Sequence, residues 1–371
     1  MRCTSCRYSE TESLPDLDKK VIYLDQSIFS ILFRVASGGR LPPGHEDFSK
    51  ELFRKLRKLV LLQQIVLPHS NLHSDETIVF QSPEELRKAY EILGGDIAFT
   101  NSYDVEASQI FEFCSAYIEK REPKINFDVD EVLENEKDVW LSDMHIGIQS
   151  DYSRFADGIR SNRDRTNDAM QELFAHWSRE KPAFDSVVDR ELKAFGTSRR
   201  KILLSAVKRS IEAASAGDSM AIFSIMHESI MEEAEMLRSL FEKNGVAAIQ
   251  QGNEVNMFWQ WEGNRGLPHL RISAYFFAAF ARRAAQGQKK ITRGLMIDVT
   301  SIATYAPYVD AMVVDQECAN LLAEKPLATD LKYKARIFSL GNPDELLEYL
   351  DELEKNVPRQ VHEFATRIYK L

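Results

Sequence analysis

Two short apolar runs that each close on an aspartate, Val21-Ile22-Tyr23-Leu24-Asp25 and Ala311-Met312-Val313-Val314-Asp315, stand near opposite ends of a 371-residue chain. Runs of this kind, rich in β-branched and aromatic residues and bounded by turn formers, read as buried strands. The first is followed by Ile28, Phe29, Ile31, Leu32 and Phe33 at helical spacing, giving strand, acid, helix. A second strand is expected at 64–67 (QIVL), before Pro68, and a last one at 336–340 (RIFSL).

Between these ends the pattern changes. Residues 48–62, 187–195, 202–216, 219–244 and 272–285 place apolar residues three and four apart, the period of an amphipathic helix. The polar stretches 120–136 and 157–168 are expected to be loops. Near the end Pro343 opens a helix over NPDELLEYLDELEKN, with Asn342 as its expected cap. The simplest architecture is one α/β core interrupted by a helical block. Its expected limits are a tail over 1–18, a core over 19–82 and 288–371, and a helical insertion over 83–287.

Composition narrows the function classes. With 44% apolar and 28% charged residues, and no apolar run near the ~18 needed to cross a bilayer, the chain reads as a soluble globular protein without a membrane partner. The N-terminal sequence lacks the apolar centre of a secretory signal, and the four cysteines are too scattered for a disulfide framework. A cytoplasmic location is expected. Cys3 and Cys6 form a CxxC without a second pair to complete a zinc site, so they read as part of the tail. A net charge of −10 means that nucleic acid could be held only by a local basic patch.

The acids are the residues that could carry chemistry. In open parallel sheets functional groups gather beyond the carboxyl ends of strands, where strand order reverses. Asp25 and Asp315 each follow such a strand, and Asp298 lies one helix-length before the second. Singly, an Asp at a strand end is a turn residue and an Asp at a helix start is a cap. Together, three like charges at matching ends are costly unless a cation offsets them. A hard ion such as Mg²⁺ or Mn²⁺, held by oxygen ligands, would fit.

These segments resemble the PIN-like nuclease family, on VIYLDQSIF around Asp25, IVLPHSNLHSDE around Glu76 and IDVTSIATYAPYVDAMVVDQECANLL over 297–322. The resemblance covers about 150 of the 371 residues and leaves out the helical middle. It implies a doubly wound parallel α/β sheet formed by the two ends of the chain, with a large all-α insertion. It further implies an Mg²⁺- or Mn²⁺-dependent phosphodiester hydrolysis, most often of RNA, with Asp25, Glu76, Asp298 and Asp315 as ligands. Asp75 competes with Glu76, and Asp310 reads as a turn acid or an outer residue, because a strand's length separates it from Asp315.

Several neighbours bear on the same site. His73, three residues before Glu76, either caps its helix or serves substrate phosphate and proton transfer. His69 reads the same way. Arg282, Arg283, Lys289, Lys290 and Arg293 precede Asp298 and are the expected phosphate contacts; a second basic cluster lies at 199–209. Phe258-Trp259-Gln260-Trp261 could stack bases but reads first as core, and Met220, Met226, Met231 and Met236 read as core. The insertion could cover the site, select substrate, or meet a second copy or a regulatory protein. A non-catalytic scaffold that binds RNA or protein, or a phosphoesterase for small nucleotides, are the competing readings.

Overall fold

The computed structural model describes residues 13–41, 43–78, 93–94, 97–141, 156–288, 292 and 294–371, without the side chains of Asp75 and Ile78. Its sheet has four parallel strands, β1 (Lys20–Leu24), β2 (Ile65–Val66), β3 (Ala311–Val313) and β4 (Arg336–Phe338), in the order β2-β1-β3-β4. In register, Leu24 faces Val313, and Val313 faces Phe338. The expected strands are therefore present but shorter, because only these residues find ladder partners.

The strands read as continuous apolar runs because both sheet faces are covered. Ile22, Leu24, Ala311 and Val313 pack with α1 (Gln26–Ser37), α2 (Glu46–Leu61) and the C-terminal α14 (Pro343–Lys355). The alternate residues Val21, Tyr23, Met312 and Val314 pack on the other face, in one core with α10 (Pro268–Ala285), α11 (Leu295–Tyr305), α12 (Gln316–Ala323) and the short α13 (Leu327–Asp330). The chain leaves β1 toward β2 on one side and β3 toward β4 on the other. Winding therefore reverses between β1 and β3, the place where this kind of sheet opens a crevice.

Among the described residues the strands come from the two ends of the chain, and those between β2 and β3 are mostly helical. After α3 (Asn71–Ile78) come α4 (Ser102–Glu119), α5 (Ala156–Glu180), α6 (Phe184–Ala216), α7 (Ser219–Met226), α8 (Ser229–Lys243) and α9 (Ala248–Trp259). This block has a core of its own, with Phe113, Phe195, Leu237, Phe241 and Phe258 at its centre. At Gly196 a Cβ would stand 2.3 Å from the carbonyl oxygen of Trp259, so a glycine is what lets α6 and the end of α9 approach.

Three local expectations are corrected. Residues 157–168 are helix, not loop: their polar face is solvated, Asp157 pairs with Arg160 at 3.1 Å, and the same helix continues into buried Met170, Phe174 and Trp177. The separate runs 187–195 and 202–216 form one helix, whereas 219–244 divides at His227 and Glu228 into α7 and α8. Met220 and Met226 are not core, being 74% and 51% exposed, while Met231 and Met236 are partly buried. Asn342 occupies the cap position of α14 without making a side-chain cap bond. No helix among the described residues is long and apolar enough to cross a membrane.

Candidate metal centre

Asp25 ends β1 and caps α1. Its carboxylate accepts from the Ser27 N–H at 3.1 Å, and its own N–H donates to the Val313 carbonyl of the neighbouring strand at 2.9 Å. Asp315 does the same one strand over: it follows β3 and caps α12 by accepting from the Cys318 N–H at 2.7 Å. The positive ends of two helix dipoles thus lie under the two side chains.

Asp298 arrives from α11. The helix begins at Leu295, so Asp298 sits in its first turn instead of opening it, and Gly294 holds the cap position. A Cβ added at Gly294 would stand 3.8 Å from Asp298 Oδ2 and 3.9 Å from Glu76 Oε1. Those two carboxylates therefore converge beside a residue whose missing side chain leaves room for them. Glu76 is carried there by α3, the helix that follows β2. The four acids expected from the sequence come together at the carboxyl edge of the sheet, around the reversal in winding.

Their protonation reports the crowding. Burial, and then the charges of Asp25, Asp315 and Glu76, push Asp298 up to about 9. Asp25 is also raised, by burial first and in part by Asp315, against the opposing hydrogen bonds from Ser27 and Gln26. A cation placed among these oxygens would remove the cost that now falls on Asp298.

Cys318 was not foreseen in the sequence. Its sulfur and one oxygen each of Asp298 and Asp315 all lie within 4.8 Å of one another. The available signal was spacing: Cys318 is three residues after Asp315, hence one helical turn into α12 beside its cap. The thiol is fully buried, and burial followed by the charges of Asp315 and Asp298 drives it well above its ordinary value. The thiol is hydrogen-bonded to Asp315.

The remaining expectations divide. His73 is 1% exposed; its Nδ1 accepts from the Ser70 N–H at 3.0 Å, so its Nε2–H donates to the Leu24 carbonyl at 2.7 Å. Burial depresses it to about 3, and a neutral imidazole with both nitrogens engaged does not shuttle protons near neutral pH. The proton-transfer role is therefore corrected to a structural one. Burial likewise depresses His69. Asp310 lies at the amino end of β3, accepting from the Val21 N–H at 2.9 Å and pairing with Lys334 at 3.2 Å, and takes no part in the centre.

Arg282 and Arg283 end α10 and both grip Glu324, Arg282 at 2.8 Å, while Arg282 also donates to the Lys325 carbonyl at 2.7 Å. They tie α10 to the chain just after α12 and stay partly exposed there. Lys289, Lys290 and Arg293, the Asp75 side chain, Cys3 and Cys6 lie outside the described residues. Phe258 and Trp259 are core, with the Trp259 indole N–H donating to Glu233 at 2.9 Å.

Scans against protein-family models, curated proteins and solved structures return no match for this chain.

Proposed function

We propose that this protein is a PIN-like, Mg²⁺- or Mn²⁺-dependent nuclease that hydrolyses phosphodiesters, with single-stranded RNA as its substrate. The observation that carries the reading is the convergence of Asp25, Glu76, Asp298 and Asp315 at the carboxyl edge, on both sides of the winding reversal, with the Asp298 carboxyl raised first by burial and then by the charges of the other three. The choice of nuclease, and of RNA, rests on the likeness of the segments around Asp25, Glu76 and Asp298 to PIN-like sequences.

The donor set favours a hard ion. Four carboxylates match the oxygen preference of Mg²⁺ and Mn²⁺. The one soft donor nearby, Cys318, is engaged in a hydrogen bond to Asp315. A bound ion of this class supplies charge to a phosphate oxygen and lowers the pKa of an attacking water. The protein's part is orientation: Ser27 and Cys318 fix Asp25 and Asp315 by cap bonds, and strand pairing fixes their separation. Asp298 and Glu76 complete the cluster from two helices. Hydrolysis in the cytoplasm, with the helical block selecting substrate or meeting a partner, belongs to the same proposal.

The test is cleavage of a labelled single-stranded RNA with Mn²⁺ by the purified chain and by Asp25→Asn and Asp315→Asn. The reading requires cleavage by the first and its loss in both variants with their circular dichroism retained. Full cleavage by either variant overturns it.

A further inference from the structure

Tyr23 stands one residue before the end of β1, with its side chain on the face away from α1. Its ring lies between two helices that carry acids. On one side it stacks on His73 of α3, with centroids 4.9 Å apart and planes at 22°; on the other it stacks on Tyr305 of α11, at 5.9 Å and 23°. Its hydroxyl, wholly buried, donates to Ser301 Oγ of α11 at 2.9 Å. The next residue, Leu24, accepts the His73 imidazole N–H at 2.7 Å.

The spacing of these contacts is informative. His73 precedes Glu76 by three residues on α3, and Ser301 follows Asp298 by three on α11, so each partner is about one helical turn from its acid. Both meet the two residues immediately before Asp25. Three segments that are remote in sequence are thereby locked at Tyr23-Leu24. A helix turning about its axis would swing Glu76 or Asp298 away from Asp25 and break the corresponding bond. Asp315 is tied to the same point through the pairing of Leu24 with Val313.

We infer that Tyr23 is a positioning residue which, through Ser301 and with His73, sets the separation of Asp25, Glu76 and Asp298 and so the affinity of the centre for its cation. The inference rests on the reading of these acids as a cation site. A bond that only stabilises the core would contribute to melting temperature and leave ion affinity alone; a positioning bond moves both.

The experiment is calorimetric titration of the full chain with MnCl₂, comparing the unmodified protein, Tyr23→Phe, Ser301→Ala and the double variant, each at a temperature where circular dichroism shows it folded. Tyr23→Phe keeps both stacks and removes only the hydroxyl. Each single variant is expected to bind Mn²⁺ about tenfold more weakly, the low end of what partners behind metal ligands contribute. The double variant should lose no more than either single one, because both delete the same bond. Should Tyr23→Phe fail to fold, Ser301→Ala alone carries the comparison. Unchanged Mn²⁺ affinity in a folded single variant overturns the inference, even with a lowered melting temperature, and leaves the cation reading intact. Absence of Mn²⁺ binding by the unmodified chain overturns the cation reading and the inference together.

Discussion

Asp298 and Asp25 share a side-chain hydrogen bond across the gap between a helix start and a strand end, with the Asp298 carboxyl pushed up to about 9. Two side chains from distant parts of the sequence are thus forced into a shared hydrogen bond that neither would make in water. Without a cation the arrangement costs stability, and the sign of that cost follows from the raised value. The unfolded chain ionises Asp298 above its ordinary 3.8, whereas the folded chain keeps the proton until about 9. Stability is therefore lost as pH rises through this window.

In chelator at pH 7, Asp298→Asn should raise the melting temperature by several degrees, since removing the ionisable group relieves a cost of roughly 4 kcal/mol. The gain should shrink as pH falls and vanish below about pH 3, where both states hold the proton. Thermal denaturation followed by circular dichroism reads this directly. A variant less stable than the parent at pH 7 would mean that Asp298 is not crowded by its neighbours.

His73 and His269 give the opposite pH dependence. Both are depressed to about 3, chiefly by burial, and His269 is held by Gln109 at 2.8 Å. The unfolded chain takes up these protons near 6.5, so their contribution is complete above that value and is lost as pH falls toward 3. At pH 5 each costs roughly 2 kcal/mol. Proton NMR of the eight histidines should show two ring signals that do not titrate between pH 8 and the onset of acid unfolding. Titration of all eight near 6.5 would contradict the buried, neutral assignment.

In the helical block, Glu233 is 3% exposed and receives both Arg199, at 2.8 Å, and the Trp259 indole. Removing one partner of a buried ion pair leaves a charge without compensation, which costs about 3–5 kcal/mol. Glu233→Ala should therefore destabilise the chain by that order in urea unfolding. A change under about 1 kcal/mol would show the pair to be solvated like a surface bridge.

Arg282 and Arg283 separate structure from substrate. Because Glu324 holds both, Arg283→Ala should lower the melting temperature while leaving RNA affinity, measured by fluorescence anisotropy at fixed salt, close to that of the parent. A large loss of RNA affinity at unchanged stability would place these residues on the substrate surface instead.

The legible and the illegible parts of this molecule differ for physical reasons. Asp25 and Asp315 could be read because a short apolar run closed by an acid leaves few other meanings, and strand pairing then brings them together. Glu76 could be placed only through resemblance, since nothing in its helix says which way the side chain turns. Cys318 escaped because a lone cysteine has no pattern; its relation to Asp315 is one helical turn, a spacing that becomes informative only once Asp315 is known to cap. His73 was ambiguous because a histidine before an acid looks alike whether buried or exposed, and only the Leu24 carbonyl settles its role. The helix over 157–168 was hidden by composition: its buried contacts come from residues further along the same helix, at Phe174 and Trp177.

The central claim, that the four acids form a hard-cation centre, is met most directly by a crystal structure of the chain soaked in Mn²⁺. An anomalous peak is expected, bound at about 2.0–2.3 Å by carboxylate oxygens drawn from Asp25, Glu76, Asp298 and Asp315, with Cys318 outside the ligand set. Absence of a peak among these residues at saturating Mn²⁺, or an ion held through the Cys318 sulfur, would contradict it.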